Sequence, residues 1–232
     1  MNAISAKLTI LSVILLMGVL VQGCKGSKQS QTNSPQEGKP QTFADAQTAA
    51  TQALATFRKL VTKDNFKELG FDSPDQVANA SLGAPMHIFA VKLDALREYQ
   101  SGSDPNKLLN EAAQLYYPVI VGGQTRASVF VEQTEGKWKA ASFGNAGLAK
   151  QIVEVSRGTA GAAQTVSSSD VIVQIPAFGL YFLGHRNPDN KLTLTALATD
   201  VTYNLRAGAT EPAEEVFARL VSAAKSYNGL PM

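Results

Sequence analysis

The apolar pattern predicts an α+β domain in which an antiparallel sheet packs with amphipathic helices. Three observations carry this. Residues 115–143 read as three strands separated by glycine-containing turns, and 171–198 supplies further strands. A helical apolar stripe opens the body of the chain and another closes it. Helices do not alternate strictly with strands, which argues against a doubly wound parallel sheet.

Phe43, Ala46, Ala50, Leu54, Phe57 and Val61 recur at helical spacing, so 42–62 is an amphipathic helix. Ser73-Pro74-Asp75-Gln76 signals a second, with Ser73 as cap, Pro74 at the first helical position and Gln76 closing a capping box. It is expected to stop near Gly83. Residues 86–93 form a strand with apolar groups on both faces. Asp104-Pro105 opens a short helix.

Leu115 to Val121, Arg126 to Gln133 and Lys137 to Phe143 form a meander with Gly122-Gly123 and Glu135-Gly136 as turns. Asn145 caps a helix that carries Leu148, Ile152 and Val155 on one side. Residues 157–169 are rich in Gly, Ala, Ser and Thr and mark a long loop or a subdomain boundary. Val171 to Ile175, Gly179 to Gly184 and Leu192 to Ala198 are strands, with 186–190 as a turn. Ala213, Val216, Phe217, Leu220, Val221 and Ala224 form the stripe of the last helix. A long helix followed by a meander resembles cystatin-like and NTF2-like sheets. That likeness is one of fold alone.

The chain has 232 residues, 44% hydrophobic and 17% charged, which suits a packed domain. Its formal charge of +2 is unevenly placed. Lys7, Lys25, Lys28 and Lys39 face only Glu37 in the first 41 residues, so the rest is nearly balanced. A near-neutral body gives no basis for a nucleic-acid partner. The one cysteine, Cys24, leaves no pair for a disulfide and no thiolate metal cluster.

Residues 1–23 read as a secretory signal. Lys7 precedes an uncharged apolar run from Leu8 to Val21, about 14 residues and roughly 21 Å of helix, short of a bilayer core of about 30 Å. The run ends in Val21-Gln22-Gly23-Cys24, which resembles the lipobox of bacterial lipoproteins. The resemblance covers about the first 25 residues. It implies diacylglycerol on the Cys24 thiol, cleavage before Cys24, and acylation of the new amino terminus, typically with palmitate. It also implies a lipid-anchored protein outside the cytoplasm. Lys25, where an inner-membrane protein tends to carry Asp, favours the periplasmic face of the outer membrane in a Gram-negative source. Residues 24–41 follow as a polar tether with a root-mean-square reach of roughly 20–25 Å. The folded domain is then 42–232.

Within it, candidate chemistry is sparse. His87 and His185 lie far apart, and neither has a second histidine or a carboxylate at metal spacing. His185 and Arg186 share a turn and form a pair able to meet an anion. Tyr181 alternates with the apolar residues of its strand and is expected to face outward. These three are the candidate ligand-binding residues. Tyr116-Tyr117, Trp138 and 178–182 are aromatic concentrations that suit a core or a ligand cleft. Gly144-Asn145-Ala146-Gly147 lacks the fuller glycine pattern of a phosphate loop, and no nucleophile elbow or zinc-protease motif occurs. Glu214 and Glu215 serve the dipole of the last helix. No cofactor and no metal are expected. The reading is a non-catalytic binding or assembly module at the cell envelope, with the membrane and an envelope protein as partners. An envelope hydrolase using His87 or His185 is the first alternative, and an inhibitor or propeptide-like module the second.

Overall fold

The computed structural model describes residues 43–160 and 169–229. The leader, Cys24 and the tether lie outside the described residues, as does 161–168 of the small-residue stretch.

Helix α1 (Phe43–Leu60) buries Ala46, Ala49, Ala50, Ala53, Leu54 and Phe57. The alanines leave little side chain between helix and sheet, so the two approach closely. Asp45 in the first turn and Arg58 and Lys59 in the last complement the helix dipole. The capped helix expected after Ser73 is only a 3-10 turn, Pro74–Asn79, and Ser73 makes no side-chain cap bond. Gln76 instead accepts the Asp72 N–H at 2.9 Å. The chain is drawn into the sheet before Gly83 because the Gly83 N–H donates to the Pro118 carbonyl at 2.8 Å. Strand β1 (Ser81–Leu82) results.

Strand β2 (Met86–Val91) stops short of Leu93, which begins the short helix α2 (Leu93–Arg97). Asp104 caps a 3-10 turn, Pro105–Leu108, by accepting the Asn106 N–H at 2.9 Å. The meander is present and longer than expected: β3 (Leu109–Val121), β4 (Gln124–Thr134) and β5 (Lys137–Gly144). Helix α3 (Ala146–Ala160) continues through positions expected to be loop. Strands β6 (Asp170–Ile175), β7 (Leu180–Arg186), β8 (Leu192–Ala196) and β9 (Thr210–Pro212) precede helix α4 (Ala213–Ser226).

The strands form one open sheet of order β5-β4-β3-β2-β6-β7-β8-β9, with β1 beside β3. The fold is α+β, as the sequence predicts, and the sheet is mostly antiparallel. The exception is β2 beside β6, which run parallel with Ile88 opposite Ile172. The sheet is therefore mixed. Strand alternation sorts the core onto two faces. Leu115, Tyr117, Val119, Val129 and Val131 meet α1. On the same face Val173, Ile175, Phe182 and Leu194 meet Leu96 of α2 and Phe217 and Leu220 of α4. On the other face Met86, Ile88, Tyr116, Ile172 and Leu183 meet Leu148, Ile152 and Val155 of α3. Helices on both faces of an open sheet do not confirm the cystatin-like or NTF2-like likeness. No helix of the described residues is long and apolar enough to cross a membrane.

Candidate functional site

A break in the β2–β3 ladder builds the most distinctive hollow. His87 is opposite Leu115, yet Phe89 is opposite Glu111, so two residues of β2 span four of β3. The surplus on β3 bulges, and a bulge re-aims nearby side chains. His87 and Glu111 come together, with Nδ1 and Oε1 2.7 Å apart. The β3–β4 ladder begins only at Gln114 opposite Glu132. Ala112 and Ala113 thus lie beyond that ladder, and they carry little side chain to fill the gap.

The result is an open cleft of about 350 Å³ lined by Ala112, Ala113, Gln114 and Leu115 of β3, with His87 and Glu111 on one side. Gln133 and Trp138, opposite one another across β4 and β5, supply another side. Phe43 at the start of α1 also lines the cleft and sets its ring edge-on to His87, centroids 5.2 Å apart. Phe43 is 58% exposed, unlike the rest of its helical stripe. The His87–Glu111 pair is itself partly in water, with side chains 36% and 59% exposed, so it contributes little to stability. With the carboxylate at Nδ1, a neutral His87 carries its proton there, which leaves Nε2 as the acceptor. The Phe89 ring follows His87 at 6.5 Å, and the Arg186 guanidinium lies over Phe89 at 4.9 Å.

His185, Arg186 and Tyr181 are not brought together. Neighbouring strand residues point to opposite faces. Arg186 joins Phe89 and donates from Nε to Asn106 Oδ1 at 3.2 Å. His185 lies on the other face, where Nδ1 is 2.8 Å from Asp170 Oδ1. Tyr181 shares that face and is 43% exposed, as its alternation predicts, but stands four residues from His185, about 13 Å along the strand. Ser169 Oγ also reaches His185, at 3.4 Å, but at Nδ1. A serine–histidine–aspartate relay needs the serine on the opposite ring nitrogen from the carboxylate, so these residue types meet without forming one. His87 and His185 are on opposite faces and do not act on one substrate atom.

Other candidates resolve into structure. Asn145 Oδ1 accepts the Leu148 N–H at 3.2 Å, which makes Gly144-Asn145 a helix start with one of its free donors used. Burial raises the hydroxyl pKa of Tyr116 and Tyr117, and among the described residues neither hydroxyl has a hydrogen-bond partner. Both are core residues. A second hollow of about 580 Å³ is lined by Asp104, Asn106 and residues of the 187–193 turn. Its polar groups serve that turn: Asp104 holds Asn106, Asn106 reaches the Asn190 carbonyl, and Asn187 accepts the Lys191 N–H. The Asn106 N–H and side chain beside Asp104 hold its carboxyl below the usual range. Among the described residues no three His, Cys, Asp or Glu side chains gather as a metal site.

The sequence named His87, Trp138 and Phe43 separately but not their meeting. Glu111 carried no signal, because a bulge that pairs residues 24 positions apart leaves no mark in local spacing. The chain matches no known family model, no curated protein and no solved structure.

Proposed function

We propose that the protein is a lipid-anchored component of a bacterial cell envelope whose folded body is a non-catalytic binding module. The single observation that carries the binding role is the bulge-built cleft, where two aromatic side chains and a His–Glu pair flank a stretch of β3 that includes Ala112 and Ala113. Such mixed clefts, mainly apolar with a few convergent polar groups, are the usual form of small-ligand sites. The neighbourhood of His185 supports this reading over a hydrolase, since its serine and aspartate compete for one ring nitrogen. The anchor rests on the apolar run before Val21-Gln22-Gly23-Cys24 and on the polar tether after it. One acyl chain holds a protein only marginally, whereas the several chains of this class hold it stably.

Metabolic labelling with an alkynyl fatty acid tests the anchor. Wild-type chain is expected to take the label and sediment with membranes, and Cys24→Ser to lose both properties. Unlabelled wild type, or a labelled Cys24→Ser variant, would overturn it.

A further inference from the structure

We infer that the cleft lined by Phe43, His87, Glu111, Gln133 and Trp138 binds a neutral polyhydroxylated ring, the sugar of an envelope glycan. The inference rests on the proposed binding role and names the ligand class.

Charge narrows the choice first. Among the described residues no lysine or arginine lines the cleft, and its one carboxylate, Glu111, would repel a phosphate or a lipid headgroup. Glu111 supplies a single negative charge and no other carboxylate lines the cleft among the described residues, so a polycation finds no acidic cluster to match it. The Arg186 guanidinium, which lies over Phe89 beyond His87, is held there by that ring and by Asn106.

Polarity narrows it further. A purely apolar ligand, such as an acyl chain, would desolvate Glu111, His87 and Gln133 without offering them partners, which is unfavourable for each. A sugar ring avoids that conflict. Its hydroxyls both donate and accept, matching the Glu111 carboxylate, the carboxamides of Gln114 and Gln133 and the imidazole of His87. Its C–H faces are apolar and lie against aromatic rings, and Phe43 and Trp138 supply two. The exposed Phe43 ring, which adds nothing to the buried stripe of α1, is accounted for as a platform for the ligand. The volume of about 350 Å³ suits the end of a short oligosaccharide.

Trp138 is the only tryptophan in the chain, so its emission reports on this cleft alone. Full-length protein in mild detergent is titrated with chitotetraose and with maltotetraose. A saturable change in Trp138 emission with at least one of them is expected. Phe43→Ala, an exposed position, is expected to weaken that binding about tenfold while the circular dichroism melt is unchanged. Laurate and a hexalysine peptide are titrated in parallel. A response to laurate or hexalysine with none to either sugar overturns the glycan assignment and leaves the cleft a binding site. No response to any probe overturns both. A sugar response that Phe43→Ala leaves untouched places the sugar elsewhere and also overturns the assignment.

Discussion

Two adjacent tyrosines show how residue-level physics constrains this protein. Tyr116 and Tyr117 point to opposite faces of β3, and both are fully buried. Their hydroxyls lack partners among the described residues. Desolvation raises both pKa values from the ordinary 10.0, so the folded state holds these protons more tightly than the unfolded chain. Their contribution is fully present below pH 10 and is lost as pH rises from there through the folded values. Alkaline unfolding, followed by circular dichroism, is expected to begin above about pH 10 and to move to higher pH in Tyr116→Phe. The same variant at neutral pH should be no less stable than wild type, because it removes a buried group without a partner. An unshifted alkaline transition would show that Tyr116 does not govern it. Core packing was one of the two readings, with a ligand cleft, that the apolar strand around these tyrosines allowed. That their hydroxyls go unsatisfied was not legible, since it depends on what α1 and α3 place above them.

The elements show which sequence signals hold. The meander was readable because its turns are chemically explicit. Gly122 and Gly123 have φ of 56° and 77°, and Glu135 and Gly136 have 52° and 73°, the left-handed pairs that tight hairpins require. The parallel pairing of β2 with β6 was not readable, because strands some eighty positions apart leave no local trace of their neighbour. Helix α2 was missed for another reason. Its five residues are too few to show a period, and it is held from outside. Arg97 donates from Nε to the Ala224 carbonyl at 2.9 Å and from Nη2 to the Tyr227 carbonyl at 2.7 Å. It thereby closes the carboxyl end of α4, where helix carbonyls lack partners. Arg97→Ala is expected to lose about 2 kcal/mol in urea unfolding, with Arg97→Lys intermediate because one ammonium replaces a planar fork. A change below about 0.5 kcal/mol in Arg97→Ala would contradict this role. The sheet edges are also guarded. β5 carries Lys137 and Lys139 and a register shift opposite Phe130 and Val131, and β9 is three residues ending in Pro212.

For the whole molecule, the sheet sets α1 over one end of a face and α4 over the other, with α3 behind. The cleft lies beside the start of α1, at Phe43, next in sequence to the polar stretch 25–41. In the proposed account the anchor fixes the address, the tether gives reach, and the body holds a ligand. The sequence conveyed the fold class because that depends on local composition and period. It did not convey the cleft, which exists only because four residues of β3 face two of β2.

Native mass spectrometry of the full chain, isolated from its own cells in mild detergent, tests the binding claim most directly. Ala113 is exposed and forms part of the cleft lining, so Ala113→Phe fills the cleft without entering the core. The account predicts an added small-molecule mass on the wild type, absent from Ala113→Phe at unchanged circular dichroism. Wild type without any bound mass, or an Ala113→Phe variant that keeps it, would contradict the account.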